Sequence, residues 1–207
     1  MPTSESQNFV TAIIVSHDGA IWLPEVIAAL TKQKLSPDQI ISVDTGSNDG
    51  SVKLLKSAGY TPISIERNAS FGSAINAALE HSRTKRAPEG VTEWIWLVHD
   101  DCAPAATALH ELIDSVSQRP NVAMAGPKLR GWHDRSHLLE IGVSIAPNGA
   151  RWTGLETLEK DQGQHDDVSE VLAVSTAGAL IRRDYFEEIG GIDPDLGLFR
   201  DDVDLGW

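Results

Sequence analysis

The pattern that most constrains this chain is a regular alternation of short apolar runs with helical spacings through its first 125 residues. Val10–Ser16 is a β-rich run, and Leu23, Val26, Ile27 and Leu30 come next at the i, i+3, i+4, i+7 spacing of one helix face. Gln39–Val43 predicts a second strand, Ser51–Ala58 a helix stopped by Gly59, and Ile63–Glu66 a third strand. A helix over Ser73–Ser82, a strand over Trp94–Val98, a helix carrying Leu109, Leu112, Ile113 and Val116, and a strand at Val122–Ala125 complete the series. Strands separated by helices in this way build βαβ units, whose parallel sheet is covered on both faces. Beyond residue 125 the pattern changes. Leu138–Ile145 and Ala150–Thr153 are predicted to pair around Pro147-Asn148-Gly149, and 156–169 reads as a charged loop. Val171–Val174 and Ala179–Ile181 read as strands, and Asp184–Ile189 as a short helix ended by Gly190-Gly191. No repeat or linker interrupts the chain, so a single domain over 1–207 is expected.

In an open parallel sheet, ligands bind beyond the carboxyl ends of the strands, so the residues just after each strand matter most. Ser16-His17-Asp18 stands after the first strand and Asp44 with a Gly-rich turn after the second. Glu66-Arg67-Asn68 comes after the third and His99-Asp100-Asp101 after the fourth. Polar and acidic groups therefore gather at one edge.

Composition narrows the range of ligands for that edge. The net charge is −13, with no Lys/Arg cluster, which argues against a nucleic-acid ligand. A phosphate ligand here needs backbone N–H groups or a metal ion to offset its charge. A lone Cys102 excludes a disulfide framework and multi-cysteine zinc sites, and nothing beside it lowers its pKa. Neither G-x-G-x-x-G nor G-x-x-x-x-G-K-[ST] occurs. The polar Met1–Gln7 lacks the order of a signal peptide, and no apolar run approaches the ~20 residues of a membrane span. The expectation is a cytoplasmic segment. A longer parent protein would reach the inner face of the cell membrane through a further C-terminal region.

Each cluster has two readings. Asp44–Ser51 is a strand-to-helix turn with Asp49 or Ser51 as cap, or a site where Asp44 accepts from a base or ribose and Gly46 admits a ligand to the backbone. Asp101 caps a helix near Pro104, or shares with Asp100 a cation that relieves their mutual repulsion, Mg²⁺ or Mn²⁺ by the hardness of the oxygens. Phe199-Arg200-Asp201-Asp202-Val203-Asp204 is a solvated acidic terminus, or a short helix over a pocket offering a general base. His81, His110, His133, His137 and His165 read as surface or structural residues.

The order of these motifs resembles the family 2 glycosyltransferases of GT-A fold, from about Val10 to Trp207. The resemblance is carried by Ser16-His17-Asp18-Gly19, Val43–Ser51, Asn68–Asn76 and Leu97–Asp101 with Pro104. It continues through Ser175–Ala179, Gly190–Asp193 and Asp201–Trp207. It implies a Rossmann-like, mostly parallel sheet with a small antiparallel portion. It also implies inverting transfer of a sugar from a nucleoside diphosphate, UDP- or TDP-linked, to a glycan or lipid-linked acceptor in cell-envelope glycan synthesis. Ser16, His17, Asp44, Gly46, Asn68, Gly72, Asp100 and Gly178 would line the nucleotide-sugar. Asp101 with His99 would hold Mn²⁺ or Mg²⁺, Asp202 would be the general base, and Asp201 would help bind the acceptor. Family members usually continue past this last motif, so the chain is expected to be the front part of a longer protein. The alternatives are a non-catalytic nucleotide-sugar-binding domain, and a nucleotidyltransferase, which would carry a Gly-rich basic loop where Ser16–Gly19 stands.

Overall fold

A computed structural model of the chain describes residues 8–117, 119–196 and 201–206. Its elements are β1 (Asn8–Ser16), α1 (Leu23–Thr31), β2 (Gln39–Asp44), α2 (Ser51–Ser57), β3 (Ile63–Ser64), α3 (Phe71–His81), β4 (Thr92–His99) and α4 (Ala108–Ser117). After these come β5 (Met124–Ala125), β6 (Leu129–Arg130), β7 (Leu138–Glu140), β8 (Ser144–Ile145), β9 (Arg151–Trp152), β10 (Leu180–Arg182), α5 (Arg183–Glu188) and α6 (Asp201–Gly206).

Six strands form one sheet in the order β3-β2-β1-β4-β10-β5. The first four are parallel, and β10 runs antiparallel to both its neighbours. Alternation along β1 and β4 explains the layers. Val10, Ala12, Ile14, Trp94, Trp96 and Val98 face one core with Leu23, Val26 and Leu30 of α1, Leu55 of α2, and Leu109, Leu112, Ile113 and Val116 of α4. Ile13, Val15, Ile95 and Leu97 face the other, with Ala74, Ile75, Ala78 and Leu79 of α3 and Phe186 of α5. A strand buried on both faces must be apolar at every position, which is why β1 and β4 read as continuous runs.

Local chemistry sets the helix ends. Ser70 Oγ accepts from the Ser73 N–H at the start of α3, supplying one of the helix's orphan donors with a partner. Gly59, at φ 88°, ends α2, and its N–H donates to Lys56 O.

Two expectations are corrected. The segment 138–145 does not pair as one arm of a hairpin. β7 pairs with β6, and only β8 pairs with β9 across the Pro147-Asn148-Gly149 turn. Gly142, at φ 128°, breaks the strand between them. Val171–Val174 makes a single bridge, Val143 with Ala173, instead of a strand. Among the described residues no helix is long and apolar enough to cross a membrane.

Candidate active site

The strand order reverses at β1: the chain steps outward through β2 and β3, then returns to β4 on the other side. That is a topological switch point, where the loops after β1 and β4 part and leave a crevice. The register puts Ser16 level with Asp44 and Val15 level with His99, so the polar residues after three strands lie side by side. The His17 N–H donates to Asp100 Oδ2 at 2.7 Å, bridging the β1 and β4 loops. Gly19 closes over the same carboxylate: a Cβ there would lie 2.2 Å from Asp100 Oδ2. Burial pushes the Asp100 carboxyl up, and the His17 N–H opposes that by favouring the anion.

Asp44 builds the turn after β2. Its Oδ2 accepts from the N–H groups of Gly46 and Ser47 at 3.1 and 3.0 Å. Its Oδ1 is buried with no hydrogen-bond partner among the described residues, and Ser16 Oγ, beside it in register, is buried against the Asp100 carboxylate, which it helps to hold as the anion. Both residues are almost wholly enclosed, at 2% and 0% exposure. Buried polar atoms are nearly always satisfied in folded proteins, so the orphan Asp44 Oδ1 marks a place where an outside group is expected to bind.

The loops after β1, β2 and β3 are stitched together. The Asp18 N–H donates to Ser47 Oγ, the Asn48 N–H donates to Asp18 Oδ1, and the Ala20 N–H donates to Asp49 Oδ2. Arg67 reaches Asp18 Oδ2 at 2.5 Å and Gly46 O at 2.8 Å. His17 Nδ1 is 2.7 Å from Thr45 Oγ1. Asp49 accepts from Ser51 N–H and Oγ without capping α2 by its side chain. A hollow of about 720 Å³ lined by Ser47, Asn48, Lys53 and Lys56 borders this turn.

His99 is half-buried against the Phe71 ring, at 4.6 Å between centroids. Burial pushes its imidazole pKa down, against the pull of the Asp101 and Asp201 carboxylates. Its Nε2 lies 3.2 Å from Thr176 Oγ1, and that hydroxyl donates to Asp201 Oδ2 at 3.1 Å. The hydroxyl has one proton and gives it to the carboxylate, so it accepts from an Nε2–H tautomer of His99. Thr176 thereby couples the end of β4 to the start of α6. Asp101 is exposed and makes no hydrogen bond or ion pair with another described residue. It does not cap α4, which begins at Ala108. Cys102 is inert, its thiol pushed up to about 12 by burial.

Asp202 is buried at 7% exposure and paired with Arg151, which also pairs with Glu140. The apolar side of α6 includes Leu205, which packs against the α3-side core; Phe199 and Trp207 lie outside the described residues.

The structure thus brings Ser16, His17, Asp44 and Asp100 together at one edge, and links His99 to Asp201. Three glycines instead have packing reasons. A Cβ at Gly46 would meet Arg67 Cβ at 2.9 Å, one at Gly72 would meet Ile192 O at 2.9 Å, and one at Gly178 would meet Pro127 Cγ at 2.8 Å. Asn68 is exposed in the turn before α3. Among the described residues, no three His, Cys, Asp or Glu side chains converge as a ready-made metal cage. Sequence reasoning assigned no role to Thr176, Glu140, Arg151 or Gly19. Thr176 lies inside the Ser175–Ala179 motif, whereas Glu140 and Arg151 sit in short strands and reach Ser175 and Asp202 across 35 and 51 residues of sequence.

The family model described as glycosyl transferase family 2 matches residues 11–190. The chain is 27% identical over 203 residues to the galactofuranosyltransferase GlfT1 of Mycolicibacterium smegmatis, covering 95% of this chain and 63% of that protein. It is 22% identical over 211 residues to the N-acetylglucosaminyl-diphospho-decaprenol L-rhamnosyltransferase of Mycobacterium tuberculosis, covering 94% of this chain and 68% of the relative. Among solved structures, the mannosyltransferase PcManGT of Pyrobaculum calidifontis, in complex with GDP-Man and Mn²⁺, superposes with a TM-score of 0.64 at 17% identity. That match covers 98% of this chain and 52% of the other. S. aureus TarS 1-349 in complex with UDP-GlcNAc gives 0.64 at 13% identity, covering 96% and 52%. The chain therefore spans about half to two thirds of the length of these proteins. The fold is GT-A, and the chain belongs to glycosyl transferase family 2.

Proposed function

We propose that residues 1–207 form one donor-binding and catalytic unit of an inverting glycosyltransferase. Its donor is a UDP- or TDP-linked sugar. Its acceptor is a glycan or lipid-linked hydroxyl in cell-envelope glycan synthesis, a class suggested by the names of the rhamnosyl and galactofuranosyl relatives. The observation that carries the reading is the buried, unpartnered Asp44 Oδ1 at the switch point, with Ser16 beside it in register. A nucleoside, with ribose hydroxyls and base N–H groups, offers the donors that Asp44 Oδ1 lacks. His17, Asn68 and the Asp100 loop border that position, and Gly46, Gly72 and Gly178 hold the surrounding backbone close.

The residues present fit a divalent cation. Mg²⁺ and Mn²⁺ sites on phosphate ligands use one or two carboxylates, with substrate oxygens and water completing the shell, so a three-residue cage is not required. Asp101 is a free, exposed carboxylate at this edge among the described residues, and His99 or Asp100 would assist it. When bound, the ion supplies Lewis-acid stabilisation of charge on the leaving diphosphate, an effect worth several kcal/mol. The chain's own residues do the rest. The acceptor oxygen attacks the anomeric carbon from the face opposite the diphosphate. The C–O bond to the diphosphate breaks with its electron pair leaving on that group, and the acceptor proton passes to the Asp202 carboxylate. Asp201, held by Thr176, lies beside the incoming hydroxyl.

The test is nucleoside diphosphate release from a panel of UDP-, TDP- and GDP-sugars with Mn²⁺. Asp202→Asn is expected to lower release by about 100-fold or more while nucleotide affinity stays within about twofold. Nucleotide binding without release by the wild type, from any donor, would instead favour a non-catalytic binding domain.

A further inference from the structure

The contacts that hold Asp202 close into a ring. Arg151, on β9, donates to Asp202 Oδ2 from Nε at 3.0 Å and from Nη2 at 2.8 Å. The same Nη2 pairs with Glu140 at the end of β7. Glu140 Oε1 accepts from the Ser175 N–H at 2.9 Å, and the next residue, Thr176, donates to Asp201 Oδ2. The peptide link from Asp201 to Asp202 completes the circuit. Residues at 140, 151, 175–176 and 201–202 thus fix one carboxylate.

Two buried acids share this one guanidinium, an arrangement that pure stability does not favour. A single cation leaves the group with a net negative charge, and burial pushes the Glu140 carboxyl up against the pull of Arg151. Apolar side chains of similar volume would close the same gap at no electrostatic cost. The geometry is also lopsided. Among the described residues, Arg151 takes Oδ2 of Asp202, while Oδ1 accepts from the Val203 N–H alone.

We propose that Arg151 is the positioning residue for Asp202, and that Glu140 is the counter-charge that keeps Arg151 in place through turnover. The proposal rests on the reading of Asp202 as the general base. With Oδ2 pinned, Oδ1 is the oxygen presented to the acceptor hydroxyl. Once Asp202 has taken the acceptor's proton it no longer balances the guanidinium. Glu140 then does so, and no half-buried cation is stranded. Lysine would supply the charge without the fork that reaches two acids at once.

The experiment compares the full chain as wild type, Arg151→Gln, Arg151→Lys and Glu140→Gln. It measures nucleoside diphosphate release from the UDP-, TDP- and GDP-sugar panel with Mn²⁺, and amide hydrogen exchange over 201–206. Arg151→Gln is expected to lower kcat by about 100-fold with donor KM within about twofold, and Arg151→Lys to recover about a tenth of wild-type kcat. Glu140→Gln is expected to cost about tenfold in kcat alone. A kcat for Arg151→Gln within about twofold of wild type, or a loss confined to KM, overturns the proposal. If the wild type releases no product from any donor, the functional reading fails, and exchange decides the positioning claim separately. Exchange about tenfold faster at 201–206 in Arg151→Gln, slowed again in Arg151→Lys, sustains it, and unchanged exchange overturns it. If Arg151→Gln does not fold, Glu140→Gln is judged by the same kcat and exchange criteria.

Discussion

Asp18 sits at φ 53°, a backbone region where Asp is tolerated but uncommon, and its carboxylate explains why the loop after β1 holds that shape. The Arg67 guanidinium, and then the Asn48 N–H, hold its pKa at about 2, below the ordinary 3.8. The folded-state value is depressed, so the pair's stabilisation is present above the unfolded pKa and is lost as pH falls through the folded one. The unfolding free energy of wild type is therefore expected to exceed that of Asp18→Asn at about pH 5, and the difference to vanish as pH falls from about 4 to about 2. Denaturant titrations across that range check it, and a pH-independent difference would contradict the assignment. At this scale the sequence was informative about some residues and silent about others. Ser16, His17, Asp44 and Asp100 could be grouped because strand alternation dictates which ends of the strands share an edge. Arg67, Thr176 and Arg151 could not be given partners. Their contacts span 49, 25 and 51 residues, and no spacing rule reaches across such distances.

Among the elements, α3 shows how a motif residue can serve packing first. Gly72 lies in its first turn, where a Cβ would come within 2.9 Å of the Ile192 carbonyl and 3.0 Å of its side chain. Alanine would gain up to about 1 kcal/mol in helix propensity, but pushing backbone apart costs about 1–3 kcal/mol, so the clash wins. Gly72→Ala is expected to lower Tm by several degrees, about 2–4 °C for each kcal/mol lost in a chain of this size. A melting curve checks this, and a Tm equal to or above wild type would show that Ile192 yields. The long elements were legible because each carries a full period of its pattern: α1, α4, β1 and β4 fall within two residues of their expected bounds. The two-residue strands β5, β8 and β9 fall inside the longer runs expected at Val122–Ala125, Leu138–Ile145 and Ala150–Thr153, whereas β6 was not foreseen, since a pair of residues contains no period to read. The break between β7 and β8 depends on a single φ at Gly142 that apolar content does not encode.

Over the whole molecule, the reversal of strand order at β1 converts separate loop motifs into one edge. A net charge of −13 then restricts the ligands that edge can hold. A diphosphate approaching Asp44, Asp100 and Asp101 meets acids unless a cation joins it, so nucleotide and metal should bind as one unit and stabilise the fold together. The GT-A architecture was legible from the order of motifs, and the identity of the donor was not, because a carboxylate such as Asp44 accepts equally from the hydroxyl or N–H groups of more than one nucleoside. The most direct test is calorimetric titration of UDP, TDP and GDP into wild type and Asp101→Asn, each with and without Mn²⁺. At least one nucleotide is expected to bind wild type about tenfold or more tightly with Mn²⁺ than without it, and Asp101→Asn to lose this gain. Affinity that is indifferent to Mn²⁺, or equal in Asp101→Asn, would contradict that expectation.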